Sequence, residues 1–372
     1  MPPHSCQQTN FGDEETFTVD SYELPRNLKG VFCGSGSDMM NNPKPARTIV
    51  DLVGKPANDI LVLYLGTATY DLDVFRIRQT QRFVELGCQV EALEIANDND
   101  VDRSEIRELF TSADVIVVGG GNTLYATDRW RQLKIVPLLR KAMERGAVIS
   151  GGSAGAICWF DGGHSSKLLF VGRFSYLLDE PLSWFARCLY FVSFFSDAMD
   201  PETYRDFRLE KYGSLDSKDS VGDEIDTSLE GIADWEYIRV PTLGFLPGLV
   251  SPHHDRTQSN GVLRADDFDR QLLETPGELG IGIDHWAALV IDGNKYRVLS
   301  LKDKEGSLKE NGEYVADGSG EPAVWIKEVV DGKIERRLCP SEGRLTELLR
   351  EPTNIVNDEE ALARCRAENP QA

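Results

Sequence analysis

The residues best suited to do chemistry form the run Ala147-Val148-Ile149-Ser150-Gly151-Gly152-Ser153-Ala154-Gly155-Ala156-Ile157. An apolar, β-branched stretch meets Gly-x-Ser-x-Gly and continues into small, helix-compatible residues, the pattern of a nucleophile elbow with Ser153 at its tip. A serine held on so sharp a strand-to-helix turn needs residues without a Cβ two positions before and two after it. Ala154 would then lie in the first turn of a helix. Amides there have no partner inside the helix, so one of them can donate to an oxyanion. The competing reading is a Gly-rich turn with an incidental serine.

A second Gly-rich loop lies upstream. Ala113 to Val118 reads as a strand buried on both faces and runs into Gly119-Gly120-Gly121-Asn122-Thr123. Asn122 or Thr123 would cap a helix that begins near Leu124. A phosphate-binding turn is the alternative, but neither G-x-G-x-x-G nor Gly-Lys-Ser/Thr is present. Two such loops after neighbouring strands meet at the carboxyl edge of a parallel sheet, where sites form in these folds. Gly120 or Gly121 could supply the second oxyanion amide. A serine nucleophile needs a base, and the chain has five histidines. His4 lies in a polar tail. His253 and His254 follow the apolar run Leu243 to Val250, in a loop after a strand, a good address for a catalytic histidine.

Taken together, VIVVGGGNT, GGSAGAI and SPHHD, in that order and spacing, resemble the aspartyl dipeptidase (dipeptidase E) family of serine peptidases, to which cyanophycinases are related. The resemblance covers about Gly30 to Leu301. It implies that Ser153 is the nucleophile and that His253, following Pro252, is the base, with His254 the alternative. It implies a class I glutamine amidotransferase-like, flavodoxin-like fold, and a short peptide with an N-terminal aspartate as substrate. Asn122 and an arginine would then bind substrate, since arginine pairs with carboxylates through two hydrogen bonds. Arg129, Arg239 and Arg256 are the candidates.

The family's third member is an acid shortly after the serine, which would orient the imidazole. The candidates are Asp197, Asp200 and Asp161. Between Ser166 and Ser196 lies a stretch of foreign composition, with nine aromatic residues in 31 against 9% for the whole chain. Without it the flanks read GGHSDAMDPETY, similar to the family's own continuation, and Asp197 and Asp200 fall 13 and 16 positions after Ser153. A lid with an exposed apolar patch is one reading. A membrane segment is another, but Leu182 to Phe195 contains Arg187 and is shorter than the about 20 residues a span requires. Because the flanks join so well, the favoured reading is a retained intron translated in frame.

Strands expected at 30–34, 59–66, 88–93, 113–118 and 147–150 alternate with helices at 73–86, 104–112, from 124, and 135–145. This predicts an α/β fold, a doubly wound, mostly parallel sheet with helices on both faces. Gly280 to Leu299 reads as strand, Asp-Gly-Asn turn, strand: a C-terminal β-hairpin. His285, inside it, is read as structural, with a place facing the site as the alternative. The expected organisation is a polar tail at 1–25, one hydrolytic domain at 26–301 interrupted by the 166–196 insert, and a C-terminal extension and tail at 302–372. Acidic residues outnumber basic ones 61 to 40, for a net charge of −21, which argues against nucleic acid or an anionic membrane as partner. Seven cysteines without C-x-x-C spacing suggest reduced thiols and a cytoplasmic location, and Met1 to Asn10 lacks a signal-peptide core. No metal or cofactor motif is expected.

Overall fold

Aliphatic runs of four or five residues, too short for helices and flanked by turn residues, fold into strands buried on both faces. A computed structural model describes residues 16–96, 102–168, 235–258 and 260–353. His4, Asp197, Asp200, the segment 169–234 and the tail from 354 lie outside the described residues.

The chain enters through a hairpin, β1 (Thr16–Val19) and β2 (Tyr22–Pro25). Strands and helices then alternate: β3 (Lys29–Cys33), α1 (Ser37–Met40), α2 (Pro43–Val53), β4 (Leu61–Leu65), α3 (Asp73–Leu86), β5 (Gln89–Leu93), α4 (Arg103–Ser112) and β6 (Val115–Val118). Next come α5 (Thr123–Gln132), α6 (Val136–Glu144), β7 (Val148–Gly152), α7 (Ala154–Ile157), β8 (Phe160–Leu168), β9 (Trp235–Pro241) and β10 (Leu246–Ser251). The last elements are α8 (Arg264–Glu274), β11 (Gly280–Ile283), β12 (Ala287–Asp292), β13 (Lys295–Ser300), β14 (Val324–Val330), β15 (Lys333–Leu338), β16 (Glu342–Arg344) and α9 (Leu345–Leu348).

Among the described residues, one sheet has the order β16-β13-β12-β3-β7-β6-β4-β5 and a second has the order β15-β14-β11-β10-β8-β9. The five strands from β3 to β5 are parallel, with β12 antiparallel on β3. One face of the first sheet is covered by α1, α2 and α3, where Met39, Ile49 and Phe83 pack on Val31, Val62 and Val115. On the other face, Phe32, Val118 and Ile149 meet Trp130 and Leu139 from the helices and Phe160, Leu246 and Ile281 from the second sheet. The architecture is the expected α/β one, with helices on both faces of a mostly parallel sheet. No helix among the described residues is long and apolar enough to cross a membrane.

Three segments differ from expectation. Residues 16–25, read as tail, form the β1–β2 hairpin. The C-terminal extension supplies β14 and β15 to the second sheet and β16 to the first. The apolar run from Gly280 is two strands in two different sheets rather than one hairpin arm. It breaks at Asp284, whose carboxylate accepts from the Ser307 amide at 3.0 Å, the Ser307 hydroxyl at 2.5 Å and the Ala323 amide at 2.9 Å. Satisfying a buried carboxylate this way pins the chain where it leaves one sheet for the other.

Candidate active site

β7 ends in the elbow. Ser153 has φ 56° and ψ −125°, a backbone state that ordinary residues avoid and that a surrounding structure must enforce. The enforcement is visible. A Cβ on Gly151 would stand 2.5 Å from the Val118 carbonyl oxygen, and one on Gly155 would stand 2.1 Å from the same atom. The two glycines that frame the serine therefore let the elbow lie directly on the end of β6. Ser153 is the one partly exposed residue in an otherwise buried run from Gly151 to Phe160. Gly120 packs beside it, where an added Cβ would come within 3.1 Å of the Ser153 Cβ. The amides of Gly119 and Asn122 are taken by the carbonyls of Leu65 and Ala68, at 2.9 and 2.8 Å. That leaves Gly120 and Gly121 at the turn itself, across from Ala154 in the first turn of α7.

Ser153 Oγ lies 3.0 Å from His253 Nε2. His253 follows β10, the inner strand of the second sheet, and also has positive φ, 50°. The two residues meet because the end of β3 holds both. The Cys33 carbonyl accepts from the Ser153 amide at 3.2 Å, and the Gly34 carbonyl accepts from the His253 amide at 2.9 Å. Ser35 continues the series, donating its hydroxyl to the His285 carbonyl at 2.8 Å. Three consecutive residues thus tie together the elbow, the histidine loop and the break between β11 and β12. Burial, first, and then the neighbouring His285, Arg264 and Arg256 hold the His253 imidazole well below its usual pKa, which keeps it a neutral acceptor.

The second ring nitrogen of His253 faces a residue that composition and spacing had suggested was structural. His253 Nδ1 is 2.8 Å from His285 Nδ1, and His285 Nε2 is 2.9 Å from Asp38 Oδ2 on α1. The His285 amide also donates to Asp255 Oδ1 at 2.6 Å. Asp38 and Asp255 gave no sequence signal beyond the letter after the His-His pair.

The other candidates are placed as follows. His254 is fully buried, with Nδ1 3.4 Å from Asp284 Oδ1 and its ring edge-on to Phe268 and Tyr314. It lies in the turn after the positive-φ His253, with its ring engaged by Asp284, Phe268 and Tyr314 rather than by Ser153. Asp161 accepts from the Tyr22 hydroxyl at 2.5 Å and the Gly248 amide at 3.0 Å, and burial raises its pKa to about 6. It is bonded away from both histidines. Asn122 is the N-cap of α5, accepting from the Tyr125 amide at 2.9 Å and donating to the Tyr70 hydroxyl at 3.0 Å. Arg239 is paired with the buried Glu278 at 2.6 Å, and Arg129 donates to the Ile95 carbonyl. Arg256 is partly exposed, lies near Asp255 and Glu305 at 3.5 and 3.3 Å, and acts on both His253 and Asp38 by its charge. Among the described residues no group of three or more His, Cys, Asp or Glu could hold a metal ion.

Comparison with known proteins gives this geometry a context. Residues 31–172 match the model of peptidase family S51. An uncharacterised peptidase, YgaJ, from Bacillus subtilis strain 168 is 34% identical over 102 residues, 27% of this chain and 43% of that protein. A Trypanosoma brucei brucei protein named G2/mitotic-specific cyclin-1 is 27% identical over 350 residues, 89% of this chain and 90% of that protein. The crystal structure of a peptidase from an acI-B1 actinobacterium superposes with a TM-score of 0.50 at 16% identity, over 85% of this chain and 96% of that one, a likeness of fold. The matched segment carries both glycine loops and Ser153, and over it the chain resembles peptidase family S51, while the likeness to the actinobacterial peptidase is one of α/β fold.

Proposed function

We propose that the protein is a serine-type peptidase of short peptides, with Ser153 as nucleophile and His253 as general base. The observation that carries this is the 3.0 Å approach of Ser153 Oγ to His253 Nε2 on a strained strand-to-helix turn. His253 takes the hydroxyl proton as Ser153 Oγ bonds to the scissile carbonyl carbon. The oxyanion faces the amides of Ala154 and of Gly120 or Gly121. The proton passes to the leaving amine, and water releases the acyl group from Ser153. The family resemblance argues for dipeptides with an N-terminal aspartate. Arg256, partly exposed and near His253, is the arginine best supported as the reader of that side chain. The reading rests on the site and on the S51 match, not on the name of the trypanosomal relative.

The test is a panel of Asp-Xaa dipeptides run beside Ala-Xaa dipeptides and simple esters, on the wild type and Ser153→Ala. Preferential release of aspartate, lost in Ser153→Ala with the fold retained, supports the reading. Turnover of esters alone points to a non-peptide substrate, and an active Ser153→Ala refutes the nucleophile.

A further inference from the structure

The described residues place no carboxylate against His253. What stands there is a second imidazole. Only one proton can lie between the two facing Nδ1 atoms, 2.8 Å apart, so the hydrogen-bond network determines the tautomers. For His253 to accept from Ser153, its Nε2 must be bare and its proton must be on Nδ1. That proton is donated to His285 Nδ1, which must therefore be bare. The proton of His285 is then on Nε2, where it points at Asp38 Oδ2, 2.9 Å away. With both imidazoles neutral and Asp38 ionised, one assignment satisfies all three bonds, and it is the one in which His253 is a competent base.

His285 is held for this task. Its amide donates to Asp255, its carbonyl accepts from Ser35, and its ring lies edge-on to Trp286 with centroids 4.8 Å apart. The bond from His285 keeps the Asp38 carboxyl below its usual range, with Arg78 on α3 and Arg256 adding to the effect. Asp38 is thus an anion next to the outer nitrogen of His285.

We propose that His285 and Asp38 together are the positioning pair of this site, His285 holding the tautomer of His253 and Asp38 supplying the negative charge through it. The proposal rests on the reading of Ser153 and His253 as nucleophile and base. When His253 takes the Ser153 proton, its Nδ1–H stays bonded to a neutral His285 whose far side meets Asp38. No other group needs to gain or lose a proton. A second consequence concerns acid. A proton added to His285 Nδ1 turns that nitrogen from acceptor to donor. It drives the proton of His253 to Nε2, where it blocks acceptance from Ser153. The charged groups facing His285 are His253, Asp255 and Arg256 from the β10 side and Asp38 from α1, with Arg78 of α3 acting on Asp38. The charges around this pair therefore enter the pH dependence of Ser153 reactivity.

The experiment is the rate of Ser153 labelling by a fluorophosphonate probe as a function of pH, which needs no known substrate. Wild type, Ser153→Ala, His285→Ala, His285→Glu and Asp38→Asn are compared, with a thermal melt for each. The expected results are labelling of wild type, none of Ser153→Ala, and a loss of about 10²-fold or more in His285→Ala, the scale of misdirecting a triad imidazole. His285→Glu, which puts a carboxylate directly on His253, recovers most of that loss and, because an anion beside the imidazole favours its protonated form, moves the acid limb to higher pH. Asp38→Asn, at an exposed site, labels more slowly and also shifts the limb. Labelling of the folded variants at the wild-type rate with an unmoved acid limb overturns the positioning pair while leaving Ser153 standing. Should His285→Ala not fold, an unchanged rate and limb in His285→Glu and Asp38→Asn overturn it equally. No labelling of wild type overturns the Ser153 reading and this proposal with it.

Discussion

The backbone N–H of His253 donates to the carbonyl of Gly34 at 2.9 Å. This joins the second sheet to the carboxyl end of β3 at the point where the elbow also docks. The site is therefore assembled by main-chain bonds from the end of β3, and the position of His253 depends on how closely Gly34 can approach its neighbours.

Gly34 has no room for a side chain. A Cβ there would stand 1.8 Å from the Asp284 carbonyl oxygen. Gly34→Ala is expected to lower stability by about 1–3 kcal/mol, the usual cost of overpacking. Displacing the His253 carbonyl anchor by even about 1 Å is expected to reduce kcat/KM by about 10²-fold. Denaturant melts and steady-state kinetics measure both. A variant normal in both would show that the anchor is dispensable.

The adjacent histidines should separate cleanly. His253→Gln removes the group 3.0 Å from Ser153 and should abolish Ser153 labelling with little change in melting. His254→Gln disturbs a fully buried ring set against Asp284, whose own carboxyl is raised to about 8 by burial and the nearby Asp255. Loss of a buried polar partner costs about 1–3 kcal/mol, so this variant should be less stable but label within about tenfold of wild type per folded molecule. The opposite pattern would reverse the assignment of base.

His164 is buried, 2.9 Å from Asp267, and stacked on Tyr237, and burial lowers its pKa to about 3. Its folded-state pKa lies below the unfolded value of 6.5, so the unfolded chain binds its proton first as the medium is acidified. The associated stability is present above pH about 6.5 and is lost as pH falls toward about 3, at a slope near 1.4 kcal/mol per pH unit for one proton. His164→Phe, which keeps a ring against Tyr237, should flatten the stability curve by about that slope in this window. Chemical denaturation between pH 4 and pH 7 reads it directly, and an unchanged slope would remove His164 from the account.

β8 extends through Leu168, opposite Trp235 of β9, and so runs three residues into the 166–196 stretch. Joining Ser165 to Asp197 would set Asp197-Ala198-Met199 at those positions, and strand pairing uses only their backbone. Mature transcripts are expected to skip these codons, and a chain lacking 166–196 is expected to fold and to keep Ser153 reactive. Transcripts that retain the codons would establish the stretch as part of the protein.

Much of this was written locally. Asp73 to Leu86 is a helix because Phe75, Gln79 and Phe83 recur on one face and Gly87 closes it in the left-handed conformation. The elbow was legible because its turn demands glycine at two fixed distances from Ser153. Asn122 was legible as a cap, and that same local role occupies its side chain, which argues for positioning rather than for substrate contact. The aliphatic runs Leu61 to Leu65 and Val115 to Val118 announced buried parallel strands, and the sheet follows from them.

What the sequence alone could not decide is where Gly280 to Ile291 breaks. GIGIDHWAALVI is equally apolar as one strand or as two, and only the presence of a second sheet, with Ser307 and Ala323 waiting for the Asp284 carboxylate, selects two. That break lifts His285 out of a strand and turns it toward His253. Asp38 is still less visible, a residue on a one-turn helix with no periodicity, 247 positions from its partner. The proposed nucleophile is determined by short-range backbone geometry and can be read from eleven letters. The groups proposed to orient His253 come from α1 and from the crossing between the two sheets, and contacts of that range exist only once the sheets have packed.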